Sequence, residues 1–374
     1  MKKVLFLISL AGVFSPVFAQ LNNSMFEDRL QVSPEDSGRV HLEINALGFS
    51  KDNEYFGSIV DGYTLYGYQV APAVHYQIAP HWVIRAGGWF HKDFGNPRFT
   101  TIAPLFSIKM KKGALSTVFG NLDGSLNHRL IEPLYDFERV LDKNRLENGG
   151  QITIDRDGLF FDAWVDWQLM QYLNDPRQEE LTGGISFNRR LFTAGGWQVS
   201  LPLQAVAKHI GGQLDVNPNP LVTIWNSAAG VEATRGLNGF FRELRLSGYL
   251  TYYKDMSFVK RQLFRDGSGA YLNMNLKSAK GLEMMLSWWK GHEFLTIQGG
   301  KIYPSQGVYD PLLVKPDMQL LILRMLYSAE VADGLTLAGR VEPYADFGFK
   351  KFEWSFGIYM IFRDRFFLGT PRRG

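Results

Sequence analysis

The stretch LFFDAWVDWQLM, residues 159–170, sets two aspartates, Asp162 and Asp166, among aromatic and aliphatic neighbours. Two carboxylates at i and i+4 suit a metal clamp or an acid/base pair if the segment is helical, because such positions lie about 6 Å apart on a helix surface. On a strand, four residues span roughly 13 Å at about 3.3–3.4 Å per residue. That exceeds the roughly 5–9.5 Å that separates paired catalytic carboxylates. The strand reading puts Leu159, Phe161, Ala163, Val165, Trp167 and Leu169 on one side and Asp162, Trp164, Asp166 and Gln168 on the other. The surrounding chain decides between the two.

A period of two recurs along most of it. RVHLEINALGF separates Val40, Leu42, Ile44 and Ala46 from His41, Glu43 and Asn45. KFEWSFGIYMIF separates Phe352, Trp354, Phe356, Ile358, Met360 and Phe362 from Glu353, Ser355, Gly357 and Tyr359. About sixteen such runs follow one another, with fourteen as the alternative count. Short connections such as Ala79–His81, Lys112–Gly113, Arg156–Gly158, Ala279–Gly281 and Ala332–Gly334 alternate with longer polar ones. Asp-Gly and Lys-Gly suit tight hairpins because glycine accepts positive φ.

Short turns at one end, longer loops at the other and strands of roughly ten residues describe an all-β, transmembrane antiparallel barrel. The apolar sides carry Tyr, Trp and Phe near their ends, as an interfacial girdle requires. A soluble sandwich would show a strongly charged outer side, whereas these polar sides mix Gly, Ala, Ser, Gln and Tyr. On this pattern the chain resembles the porin-like outer-membrane barrels of Gram-negative bacteria over nearly all of its length. The tract IEPLYDFERVLDKNRLENGGQ, residues 131–151, is similar to segments of Bacteroidetes barrels. The resemblance implies insertion by the barrel-assembly machinery, contact with outer-membrane lipid, and either a homo-oligomer or other outer-membrane proteins as partners. Such barrels often end in an aromatic assembly signal; here Phe366-Phe367 is followed by LGTPRRG, so the position of that signal departs from the pattern.

The first residues agree with export. Lys2-Lys3 precede an apolar run from Val4 to Phe14, and Val17 and Ala19 sit at the −3 and −1 positions of a signal-peptidase site. Cleavage is expected after Ala19, giving a signal peptide over 1–19, a periplasmic lead-in over 20–38, the barrel over 39–367 and a tail over 368–374. With 40 basic and 37 acidic residues the net charge is +3, too little to argue for nucleic acid. Zero cysteines exclude thiol nucleophiles and the usual structural zinc. No cofactor or metal is expected.

If the apolar sides face lipid, the other sides name the lumen. Its basic candidates are Arg85, Lys109, Lys208, Arg245, Lys277, Arg324 and Arg340. Its acidic ones are Glu43, Asp162, Asp166, Glu232, Glu243, Glu283, Glu342 and Glu353. This near balance suits either a weakly selective water-filled channel or an interior cross-linked by ion pairs. Two connections stand out. Residues 121–148 carry a helical patch at Leu134, Phe137, Val140 and Leu141, and either fold inward or pack over the rim. Residues 293–317 are too apolar for a free loop, and extend a hairpin, plug the mouth or meet a partner.

Enzyme signatures are poor. There is no Walker loop, GxSxG or HExxH, and Asp155–Gly158 (DRDG) reads as a hairpin turn rather than a calcium loop. A barrel hydrolase needs a histidine beside a serine nucleophile. Ser107 or Ser200 could supply one, but no spacing singles out a pair. The reading is therefore of a non-enzymatic barrel passing small polar solutes. Its rivals are a closed barrel serving as a structural or accessory subunit and, third, an outer-membrane hydrolase.

Overall fold

A computed structural model describes residues 21–57, 59–123, 128–212 and 219–371. The signal peptide and its cleavage site lie outside the described residues. Sixteen antiparallel strands close into one barrel, as the alternation predicts. The first four are β1 (Val40–Phe56), β2 (Asp61–Ala79), β3 (Trp82–Asp93) and β4 (Thr101–Lys112). The next six are β5 (Leu115–Asn121), β6 (Asn148–Arg156), β7 (Leu159–Leu169), β8 (Glu180–Ala194), β9 (Trp197–Ile210) and β10 (Val222–Gly236). The last six are β11 (Phe241–Asp255), β12 (Asp266–Ser278), β13 (Leu282–His292), β14 (Asp317–Ala332), β15 (Leu335–Asp346) and β16 (Lys351–Gly369). Each strand pairs with its sequence neighbours, and β1 pairs with β16 from Val40↔Gly369 to Glu54↔Trp354, so no edge remains for hydrocarbon to meet.

The pleat sorts the side chains as expected. On β7, Phe160, Asp162, Trp164 and Asp166 are buried inside while Val165 lies open on the outside, where lipid takes the place of solvent. Ile102, Leu250, Phe352 and Ile358 are other open apolar side chains of the outer wall. At the short turns Gly158 (φ 67) and Gly281 (φ 81) adopt the left-handed conformation that glycine accepts at low cost. A Cβ on Gly281 would also collide with the Ser328 carbonyl.

The interior is packed. β5 has only 7 residues and β6 only 9, so the wall is low there and the chain between them enters the lumen. Leu130, Ile131, Leu134, Tyr135, Phe137, Val140 and Leu141 of that loop are all buried. They pack against inward side chains of the wall, from Trp164 and Val206 through Tyr249, Tyr271 and Trp289 to Tyr344, Tyr359 and Leu47. The loop therefore folds inward rather than over the rim, with its helical patch reduced to one 3-10 turn, Phe137–Leu141. The 293–317 loop plugs the mouth beside it, burying Phe294 and Tyr303.

The lead-in does more than the sequence suggests. Leu21, Phe26 and Leu30 are buried inside the barrel, with Phe26 edge-on to both Phe137 and Tyr359 at 4.9 Å. Lumen groups grip its backbone: Glu283 accepts from the Asn22 N–H at 3.1 Å, Arg363 donates to the Met25 carbonyl at 2.7 Å, and Lys109 donates to the Leu30 carbonyl at 2.7 Å. The described part of the lead-in, from Leu21 to Leu30, thus sits inside the barrel as a stopper.

Candidate functional site

Every charged position expected in the lumen lies on the inner face, and all but Lys277 make a close polar contact there. Arg85 pairs with Asp28 of the lead-in at 2.9 Å, and Lys109 with Asp123 at 2.5 Å. Lys208 pairs with Glu180 at 2.7 Å and Arg245 with Glu243 at 2.6 Å. Glu232 accepts from Asn188 Nδ2 at 2.8 Å and from the Tyr249 hydroxyl; Glu283 accepts from Asn275 Nδ2 at 2.7 Å. These charges are spent on one another and on the segments that fill the barrel.

The densest cluster joins loop to wall. Glu132 and Glu138 of the 121–148 loop face Lys51, Arg324 and Arg340 of β1, β14 and β15. Arg340 lies 2.6 Å from Glu342 and 3.2 Å from Glu132, and Arg324 lies 3.0 Å from Glu342. The cavity left at this meeting measures about 40 Å³. Acid on the loop against base on the wall is the arrangement of a charged constriction, here drawn shut. Sequence reading missed Glu132 and Glu138, because acid on a loop shows nothing of the wall it will meet, and Lys51, because the alternation read on β1 stops at Phe49.

Asp162 and Asp166 act at separate points, as their strand spacing requires. Asp162 Oδ2 lies 2.9 Å from His128 Nδ1 and also accepts from Gln151 Nε2. Asp166 accepts from the Asn148 N–H at 2.7 Å. One aspartate thus fastens the inbound limb of the loop and the other its return. His128 is held further by Glu147, 2.9 Å from Nε2, and stacks on Trp164 at 4.1 Å. Burial disfavours its imidazolium, but the Glu147 and Asp162 carboxylates prevail and raise its pKa to about 9.

Neither serine considered as a nucleophile meets a histidine. Ser107 donates to the Asn121 carbonyl at 2.9 Å, and Ser200 lies near Glu232. The hydroxyl–imidazole contact is elsewhere: Thr223 Oγ1 and His209 Nδ1 are 2.9 Å apart on directly opposed residues of β10 and β9. On these strands Gln204, Val206, Asn226 and Ala228 are the buried inner residues, so His209 and Thr223 belong to the outer phase. Both lie near the strand ends joined by the long 210–222 connection, the extracellular end of such a barrel. The pair is invisible in sequence because its members stand fourteen positions apart, and only the β9–β10 register opposes them.

A family model described as lipid A 3'-O-deacylase-type matches residues 32–371. The chain belongs to that family. Membership in a deacylase-type family, which is an enzyme family, overturns the expectation of a non-enzymatic barrel. Comparison with curated protein sequences returns no match. Among solved structures, this deacylase-type chain resembles Pseudomonas aeruginosa OccK2 (OpdF), in a crystal structure with glucuronate. The TM-score is 0.51 at 11% identity over 91% of this chain and 100% of that one. It also resembles the outer membrane protein OpdK of the same organism, with TM-score 0.50 at 10% identity over 88% and 100%. At such identities the likeness shows the fold alone: a porin-like outer-membrane barrel.

Proposed function

We propose that the chain is an outer-membrane esterase that removes an acyl chain from a lipid of the outer leaflet, a lipid A-type glycolipid by analogy with its family. The outward-facing Thr223–His209 pair carries the reading. A hydroxyl hydrogen-bonded to imidazole is the starting arrangement for acyl transfer. His209 Nδ1 takes the Thr223 proton as the oxygen attacks the ester carbonyl, and returns it to the departing alcohol. Water then hydrolyses the acyl-threonine, with the same nitrogen as base. Nδ1 can accept only if the proton sits on Nε2, the tautomer this mechanism requires. Placement on the outer wall lets the lipid approach without entering a lumen that is packed.

Fatty-acid release from an acylated glycolipid in mixed micelles tests the reading. Thr223→Ala and His209→Ala should each lower the rate about a hundredfold or more, while Ser200→Ala leaves it unchanged. Undiminished release in both variants would sink the assignment.

A second reading, passage of small polar solutes, is favoured by the acidic loop set against the basic wall. It needs the 121–148 loop to withdraw. Planar-bilayer recordings with steps that change on Asp162→Lys would support it, and silence at every voltage would remove it.

A further inference from the structure

The connection from β11 to β12 and the strand ends beside it carry four basic residues, Lys254, Lys260, Arg261 and Arg265, against two acidic ones, Asp255 and Asp266. All four bases are exposed, as are Met256, Val259, Leu263 and Phe258, the last at 97%. The connection is firmly built. Buried Asp255 accepts from the N–H groups of Ser257, Arg261 and Gln262 at 2.8–3.1 Å, and Arg265 donates to the Ser257 carbonyl at 3.2 Å. Its apolar side chains are thus held outward by a folded turn.

Two observations say what covers this surface. The outer phase of β11 runs through Leu250 and Tyr252 to Lys254 and Met256, so the exposed turn continues the lipid-facing wall without a break. An aromatic followed by a lysine on one stripe is the order met on passing from hydrocarbon to headgroups. The excess of positive charge then complements phosphate at that depth. The turn also abuts the proposed catalytic pair, since the Met256 N–H donates to the Thr223 carbonyl at 2.8 Å and the Thr223 N–H donates to Ser257 Oγ at 3.0 Å.

We infer that the β11–β12 turn is a docking surface for the anionic headgroup of a membrane lipid, with Lys260 and Arg261 meeting phosphate and Phe258 entering the acyl boundary. For its catalytic consequence, an ester carbonyl held over Thr223, it rests on the esterase reading; the docking itself does not. The test uses the full chain in phosphatidylcholine vesicles with a minor fraction of phosphatidylglycerol. Spin-labelled versions of each lipid report how strongly the protein selects the anionic one. Lys260→Gln/Arg261→Gln should reduce that selectivity about fivefold or more. Arg98→Gln, exposed on another extracellular connection, should not. Equal selectivity in wild type and double variant overturns the inference, as does an equal loss in Arg98→Gln. So does a stoichiometric protein partner retained through Phe258 regardless of the charges. Thr223→Ala must leave lipid selection intact. Hydrolysis without selection removes the docking surface alone, and selection without hydrolysis removes the esterase alone.

Discussion

Arg340 shows what a single residue does in this interior. Its guanidinium reaches Glu132, Glu342 and, through Nη1, Asn23 at 3.0 Å, and it lies over the Phe137 ring at 4.1 Å. It therefore ties β15 to the loop and to the lead-in together. Removing one partner of a buried ion cluster strands the others, at about 3–5 kcal/mol. Arg340→Met should destabilise the barrel by that order in denaturant titration, and adding Glu342→Gln should recover part of the loss. An unchanged midpoint in the single variant would mean that the cluster is wet. Arg340 and Glu342 were legible in sequence as inward charges because alternation alone assigns the face. Their partner Arg324 was legible for the same reason, but Glu132 was not, because it lies in a segment with no period of two.

The 121–148 loop is the element on which the interior depends. Its helical spacing at Leu134, Phe137, Val140 and Leu141 was readable, but the spacing recorded burial rather than an α-helix: all four side chains pack inside, on a turn closed at Ile131 and the short 3-10 helix Phe137–Leu141. Leu134→Ala should loosen the loop by about 2–5 kcal/mol, the usual range for a buried leucine; protease cutting between residues 128 and 148 of the folded barrel reads this. The His128 clamp gives the same element a pH dependence. Its folded pKa of about 9 exceeds the unfolded value of about 6.5. The ion pair is therefore complete between about 7, below which buried Glu147 protonates, and about 9, where the histidine's contribution is lost as pH rises. Fluorescence of Trp164, stacked on His128, should change across that alkaline window, and His128→Gln should abolish the change. A flat profile in the wild type would show that the carboxylates do not govern the clamp. The short hairpins were the easiest elements to foresee, since a glycine at positive φ is a local requirement. The Thr223–His209 contact needed the register of two strands, which no local signal carries.

For the whole molecule, the barrel was legible because closure imposes one rule on every strand, apolar outward and small or polar inward. The filling was not, because inward aromatics such as Tyr249, Tyr271 and Trp289 are compatible with a pore lining as well as with a dry core. The structure predicts low conductance. Deleting residues 21–31 removes the stopper that Arg85, Lys109 and Glu283 hold, and should add unstable current steps in planar bilayers while heat-modifiable mobility still reports an assembled barrel. Silence after the deletion would mean that the two long loops seal the lumen unaided. The stopper also bears on the order of events in assembly. Asn22 bonds to Glu283 across 261 residues of sequence, and Met25 to Arg363 across 338, so the first described segment waits for the last strands. Its seat exists only after β16 has joined β1. Docking of the N-terminal segment is thus a latch thrown after the wall is complete, and its protection from protease is a clock for the final moment of membrane insertion.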